Sequence, residues 1–242
     1  AAGFTDTTST DVDCIKMFGI TTGKTATTYD PTGSISRQDM ARFIHRMFVP
    51  AGVAAAGLTA VPAFTDIAHV DTGGTAAITA LASHGITLGT AATTFSPDSN
   101  VTRAQMASFL SRFLKIAKTS AGTAIASTIT GVSVYNYTDI ASVTLEEHES
   151  IIRNYNLGIN GACVVDAVGQ CAGSTAYRPA DDITRAEMAS MLVRALNHTN
   201  ARPAGVSIQS TTSNLAVGTV SVAISVRNAD FSAQANTLVD EF

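Results

Sequence analysis

The sequence predicts a mostly α-helical fold of three similar helix–loop–helix units that share one core, followed by the start of a β-rich segment. Three observations carry this. A four-element pattern recurs three times in the same order, each copy ends in a helix-start signature with an apolar stripe behind it, and the pattern gives way to strand-like alternation after Ala201. A repeat of this kind is the first thing to settle, because it decides the architecture.

The first element is an aromatic-Thr-Asp opener: Phe4-Thr5-Asp6, Phe64-Thr65-Asp66 and Tyr137-Thr138-Asp139. A short helical segment follows, ending in glycine turns at Gly19–Gly23, Gly85–Gly89 and a looser Leu157–Gly161. Next comes an aromatic two positions before proline: Tyr29-Asp30-Pro31, Phe95-Ser96-Pro97 and Tyr177-Arg178-Pro179. The last element reads Ile35-Ser36-Arg37-Gln38-Asp39-Met40-Ala41, Val101-Thr102-Arg103-Ala104-Gln105-Met106-Ala107 and Ile183-Thr184-Arg185-Ala186-Glu187-Met188-Ala189. A second arginine follows each first one, at Arg46, Arg112 and Arg194.

Ser36, Thr102 and Thr184 stand at expected N-caps, with Asp39, Gln105 and Glu187 three residues on. This is the capping-box arrangement, in which two side chains satisfy orphan amides at a helix start. Behind each cap runs an apolar stripe at helical spacing: Met40, Phe43, Ile44 and Met47; Met106, Phe109, Leu110, Phe113 and Leu114; Met188, Met191, Leu192, Ala195 and Leu196. One unit of this size buries too little surface alone, so the three stripes are expected to pack together. The units differ in length: 33, 39 and 48 residues separate the opener aromatic from the cap arginine. The differences fall in loops, where they are tolerated.

Hydrophobic residues make up 45% of the 242, enough for a real core, and no apolar run is long enough for a membrane helix. The apolar stretch Val49–Ala63 is rich in Ala, Gly and Pro and reads as a linker. Net charge is −4, with only 14% charged residues, which argues against a nucleic-acid binder. Of the three cysteines, Cys163 and Cys171 share a loop without counterpart in the other copies. A disulfide closing that loop is the favoured reading over free thiols, and Cys14 reads as a small buried residue. Ala1-Ala2-Gly3 has neither a basic start nor an apolar run, and is compatible with a chain that begins just after a signal-peptide cleavage site.

The order of elements resembles the S-layer homology domain family. The residues that carry the resemblance are the aromatic-x-Asp openers, the Gly-Ile-x-x-Gly turns, Phe95–Asp98, and the motif complete as Thr184-Arg185-Ala186-Glu187 and nearly so as Thr102-Arg103-Ala104-Gln105. It covers about residues 4 to 200. It implies a pseudo-threefold spindle in which each repeat gives a helix to a central three-helix bundle. It also implies a non-catalytic module of a secreted bacterial surface protein, binding secondary cell-wall polysaccharide, often pyruvylated, in the grooves between repeats. Self-assembly into a surface array is expected with it, without nucleic-acid binding or membrane insertion. The domains read as 1–60, 61–133 and 134–200 for the three repeats with their linkers, and 201–242 for a hinge and the first strands of a β-domain. In this sequence Ser36-Arg37-Gln38-Asp39 departs from the motif, the third copy carries the cysteine loop, and there is no Trp.

The candidate glycan-binding residues are Arg37, Arg103 and Arg185, with Gly23, Gly89 and Gly161. Each arginine stands in the first turn of a helix, where free amides and the dipole favour an anion and a guanidinium adds a two-pronged donor. The competing reading has the arginines pair with acids such as Asp98 or Asp181 and tie loop to helix. Gly23, Gly89 and Gly161 admit either close ligand approach or a plain turn role, and Tyr29, Phe95 and Tyr177 either sugar stacking or, the favoured reading, core packing.

An enzyme is disfavoured, since the five histidines lack motif spacing and His45 sits among apolar residues and Arg. Glu146, Glu147 and Glu149 read as a solvated helix start rather than a glycosidase pair. No cofactor is implied, and with no Asp-x-Asp-x-Asp loop, calcium is left open. A lattice module that binds neighbouring subunits and no glycan is the alternative function. After Ala201, Pro203–Gly205 reads as a hinge, and Val206–Ile208 and Thr219–Val226 alternate like half-buried strands, taken as the beginning of an immunoglobulin-like β-domain.

Overall fold

Six side-chain caps set where the helices begin. In the computed structural model, which describes residues 2–54, 61, 63–118, 137–160, 176–199, 201, 205–210 and 222–227, the helices are α1 (Thr10–Met17), α2 (Arg37–Arg46), α3 (Thr72–Ser83), α4 (Arg103–Ile116), α5 (Leu145–Asn156) and α6 (Arg185–Asn197). Ser36, Thr102 and Thr184 cap α2, α4 and α6 as the sequence predicts. Ser9, Asp71 and Thr144 cap the other three. A cap of this type contributes about 1 kcal/mol.

The capping boxes depart from expectation at one place. They are complete at Thr102–Gln105 and Thr184–Glu187, and a further one forms at Thr144–Glu147. At α2 only half forms: Ser36 Oγ accepts from the Asp39 amide at 3.3 Å, while the Asp39 carboxylate turns to Arg42 at 2.8 Å. Aspartate is one carbon shorter than the glutamate of α6, whose carboxylate reaches back to the Thr184 amide at 3.0 Å.

The first helix of each copy closes in the same way. Ile20, Ile86 and Ile159 amides each return to a carbonyl five residues back, all at 2.8 Å, across Gly19, Gly85 and Gly158. This is the Schellman closure, and the isoleucine after the glycine is fully buried each time.

The stripes do meet in one core. Met40 and Ile44 of α2, Met106 and Leu110 of α4, and Met188 and Leu192 of α6 are all completely buried within a single apolar cluster. Each such side chain contributes about 1.5–3 kcal/mol when withdrawn from water. A smaller cluster joins Ala104 and Ala107 of α4 to Ile140, Ile151, Ile152 and Tyr177.

The neighbour relations differ from a simple central bundle. The closest helix packing pairs α2 with α3, α4 with α5 and α6 with α1, and the capped helices meet less closely, α4 and α6 most among the described residues. The reason is bulk between the capped helices. The guanidinium of Arg37 lies 5.4 Å from the Phe109 ring of α4, and that of Arg185 lies 5.5 Å from the Phe43 ring of α2. Close helix pairs at 8–10 Å leave little room for such layers.

Just before the caps, the chain segments run past one another: the Val101 amide donates to Ile35 O at 3.0 Å and the Ile183 amide to Val101 O at 2.9 Å. Separately, β1 (Gly205–Ser210) and β2 (Val222–Arg227) pair antiparallel, with Val206 opposite Val226 and Ile208 opposite Ile224. The expected alternation is realised as strands over 206–208 and 222–226, residues 219–221 lying outside the described residues. Residues 203 and 204 of the expected hinge lie outside the described residues, as do Gly161, Cys163 and Cys171. Cys14 is a partly buried free thiol. Burial, then the nearby Asp11 charge, pushes its pKa up.

Candidate functional site

The three cap arginines are among the most buried polar residues, at 3%, 1% and 4% exposure for Arg37, Arg103 and Arg185. Each reaches out of its own sequence copy. Arg37 Nε donates to Phe95 O at 2.8 Å, Arg103 Nε to Tyr177 O at 2.8 Å, and Arg185 Nε to Tyr29 O at 2.7 Å. The three bonds run from the first copy to the second, the second to the third and the third to the first. Each guanidinium also lies over the ring whose carbonyl it binds, 4.6–5.1 Å from the centroid, at a gain of about 0.5–2 kcal/mol each. For Arg37, burial holds the pKa down to about 10, with Asp66 opposing and Arg112 adding to the fall.

The opener aspartates hold the receiving turns. Asp6 accepts from the Tyr29 and Asp30 amides at 2.8 and 2.7 Å, Asp66 from Phe95 and Ser96 at 2.9 and 2.7 Å, and Asp139 from Tyr177 and Arg178, both at 2.8 Å. In each pair the second residue, Asp30, Ser96 or Arg178, has φ of 58–62°, a region that costs non-glycine residues and persists when surroundings over-determine it. The amides of Tyr29 and Asp30 hold the Asp6 carboxyl below the usual range. At Asp66 burial works the other way, and the Phe95 and Ser96 amides overcome it to leave the pKa lowered.

Tyr29, Phe95 and Tyr177 are wholly buried, so their rings pack in the core, against the arginines. Two of them also return a bond: Tyr29 Oη donates to Arg185 O at 2.9 Å and Tyr177 Oη to Arg103 O at 3.0 Å.

The first-turn amides expected to be free are occupied by neighbouring loop carbonyls. Arg37 and Gln38 amides donate to Ser99 and Pro97, those of Arg103 and Ala104 to Asp181 and Pro179, and those of Arg185 and Ala186 to Gly33 and Pro31, all within 2.9–3.1 Å. The third amide of each helix goes to its cap. Any anion must therefore be held by side chains. The acids expected to tie the arginines also act differently. Asp98 accepts from Gln38 Nε2 at 2.7 Å and pairs with His69 at 2.8 Å, while the Asp181 carboxylate pairs with Arg178 at 3.4 Å.

Candidate residues that are far apart in sequence come together in two grooves. A groove of about 170 Å³ joins Gly23 to Arg185, with Thr21, Lys24, Asp39 and Arg46 along it. A wider one of about 390 Å³ joins Gly89 to Arg37, with Thr87, Arg112, Glu146 and Glu147. The second arginines follow from helix geometry: nine residues is two and a half turns, about 180° around the axis. Arg46 thus leaves α2 on the side away from Arg37 and enters the other groove. Arg46, Arg112 and Arg194 donate to Ile20 O, Ile86 O and Ile159 O at 3.0, 2.9 and 3.4 Å, clasping each glycine turn to the helix behind it.

The glycines serve the turn. Gly23 and Gly89 have φ of +91° and +82°, and a Cβ on Gly89 would sit 2.6 Å from Ala91 O and Thr94 O and 2.7 Å from the Phe64 ring. That space is filled by the protein itself, so no side chain fits there. Thr21 and Thr87 hydroxyls, which sequence reasoning missed, brace the turns by accepting from the Gly23 and Gly89 amides at 3.1 and 3.2 Å. Their signal was present, a threonine two residues before the closing glycine in both copies.

Glu146 and Glu147 do form a helix start: Glu147 completes the box at Thr144, and Glu146 pairs with Arg112 at 2.6 Å. His45 is half-buried. Burial, then the His84 and Arg46 charges, lowers its pKa. Among the described residues no group of three or more His, Cys, Asp or Glu is placed to hold a metal ion, and no helix is long and apolar enough to cross a membrane.

Residues 63–107 match the family model of the S-layer homology domain, from the opener at Phe64 through α3 and the Gly85–Gly89 turn to the first turns of α4. Residues 63–107 thus carry an S-layer homology domain, generally a non-catalytic cell-surface anchoring module that binds cell-wall polysaccharide. That domain implies association with the cell surface or the S-layer. No curated protein matches the chain.

Proposed function

We propose that the chain is a three-repeat anchor that holds a secreted surface protein on secondary cell-wall polysaccharide, with an acidic sugar of that polymer seated in the grooves between repeats. The observation that supports it most is the conjunction, in two separate grooves, of a glycine-turn threonine from one copy, a buried cap arginine from another, and a second arginine. Hydroxyl and guanidinium donors around a cleft open to solvent suit a polyhydroxylated, carboxylate-bearing ligand. On this reading the repeats occupy 1–60, 61–133 and 134–200 in pseudo-threefold array, with Gly161 and Arg103 as the counterpart of the other two glycine–arginine pairs. Residues 201–242 open an immunoglobulin-like β-domain, and Cys163–Cys171 is a loop disulfide.

Sedimentation of the chain with cell walls before and after chemical removal of the polysaccharide, with purified polysaccharide as competitor, tests the function. Binding lost on stripping and competed by the polymer is the expected result. Binding that survives stripping means protein–protein lattice contact and overturns the reading. Because the cap arginines are core residues, their alanine variants confound binding with folding. The informative changes are at the rim: Lys24→Ala and Thr90→Ala, each expected to weaken attachment about three- to tenfold with unchanged circular dichroism.

A further inference from the structure

The two grooves share a layout and differ in charge. Arg37 in the wider groove directs Nη1 toward Gln105 Oε1 at 3.5 Å, and that groove sets two carboxylates, Glu146 and Glu147, against two arginines. Arg103, outside both grooves, has Nη1 bound to Glu187 Oε1 at 2.8 Å. Arg185 differs from both. It is 4% exposed, its Nε is satisfied by Tyr29 O, and neither terminal nitrogen has a hydrogen-bond partner among the described residues. It lines a groove with Lys24, Arg42 and Arg46 against a single carboxylate, Asp39. Arg42 is committed to Asp39 and Asp71, and Arg46 spends one nitrogen on Ile20 O, which leaves Arg185, the exposed Lys24 and the rest of the exposed Arg46 guanidinium as the open cationic groups.

The difference traces to one position, the third residue of the capped helix. That side chain faces the arginine arriving from the neighbouring copy. Glu187 is long enough to close its own box and bind Arg103 at once. Gln105 closes its box and touches Arg37 at the limit of hydrogen bonding, without charge. Asp39 is a carbon shorter, does neither, and pairs with Arg42 on its own helix.

We propose that the groove at Gly23 is the one that takes the carboxylate of an acidic sugar, and that Asp39 sets this specificity by leaving Arg185 open. The inference rests on the anchoring reading and says which groove carries its anionic contact. The grooves are then unequal, one selecting for charge and the wider one self-neutralised and suited to uncharged sugar.

Titration of the full chain with methyl glucuronide and, separately, methyl glucoside, followed by NMR, is the test. The wild-type chain should bind one glucuronide in preference to the glucoside. Asp39→Glu, which lengthens the side chain to reach Arg185 as Glu187 reaches Arg103, should weaken glucuronide at least about tenfold and leave glucoside unchanged. Asp39→Asn, which removes the groove's carboxylate, should hold or strengthen glucuronide binding, and it serves also if Asp39→Glu does not fold. Equal affinity for the two sugars, indifference to both substitutions, or equal loss in both overturns the proposal. Wall polysaccharide bound as tightly by Asp39→Glu as by the wild type sinks the groove assignment and leaves the anchoring function standing. The expected sugar preference without any polysaccharide binding does the reverse.

Discussion

Glu187 links three things that are separable by substitution: the α6 cap, the buried charge of Arg103 and the exposed Arg178. Replacing it by alanine leaves Arg103, 1% exposed at its side chain, without its 2.8 Å carboxylate. Breaking a fully buried pair this way costs about 3–5 kcal/mol, and because the Glu187 side chain is 29% exposed the figure is discounted to about 2–3 kcal/mol. The lost box at Thr184 adds about 0.5–1 kcal/mol, so Glu187→Ala is expected to cost about 3 kcal/mol. For a body of this size that corresponds to a fall of about 6–12 °C in Tm. Glu187→Gln keeps the box and a neutral bond to Arg103, as Gln105 does for Arg37, and should cost about 1–1.5 kcal/mol. The measurement is urea unfolding at neutral pH followed by far-UV circular dichroism. The pH dependence has a definite sign. Burial opposes the Glu187 charge but is outweighed by the Thr184 amide, Arg103, the Thr184 hydroxyl and Arg178, so its folded pKa lies below the ordinary 4.5. Its contribution is fully present above that ordinary value and lost as pH falls through the lowered one. The gap between wild type and Glu187→Ala should therefore narrow in acid. A cost under about 1 kcal/mol for alanine, or equal costs for alanine and glutamine, would refute the argument that the ion pair is what matters.

Asp66→Asn should flatten the acid limb of the stability curve. The wild-type carboxyl, lowered by two backbone amides against its burial, loses its contribution only as pH falls through that lowered value, and thermal melts across the acid range check it. Gly89→Ala should destabilise by about 1–3 kcal/mol, since it forces a side chain to φ +82° against two carbonyls and a ring; urea unfolding reads it. The proposed Cys163–Cys171 bridge predicts that alkylation under native conditions modifies at most one thiol per chain, and slowly, because the Cys14 pKa is raised by burial and Asp11. Mass spectrometry counts the adducts, and rapid triple labelling would remove the bridge.

What could be read in advance divides along range in the chain. Caps and stripes are local, so the starts of α2, α4 and α6 at Arg37, Arg103 and Arg185 and the buried face of each were legible. The caps at Ser9 and Asp71 start helices with weak local signals, α3 carrying Gly73 and Gly74 in its first turn, whereas Thr144 with Glu147 three residues on is a full capping-box signal that the sequence did carry. Of the residues chosen for the site, Gly23 and Arg185 line one groove and Gly89 and Arg37 another. Why they meet lies in bonds between copies, such as Arg185 to Tyr29 across 156 residues, which no spacing rule reports. Further carbonyls of the same turns, among them Pro31, Pro97 and Pro179, consume the amides that a single helix would leave free.

The cycle of arginine-to-carbonyl bonds carries a consequence for how such a molecule can change size. In a linear solenoid a repeat added at the end extends the stack and leaves existing interfaces intact. Here Arg185 binds Tyr29 and α1 packs on α6, so the third copy is already committed to the first. A fourth copy inserted by duplication would have to part that seam and leave two arginines facing the wrong partners. Loss of one copy would strand a buried guanidinium and an empty aromatic turn. Adding or removing a single copy thus disturbs a seam that is already made, whereas a lengthened loop disturbs none.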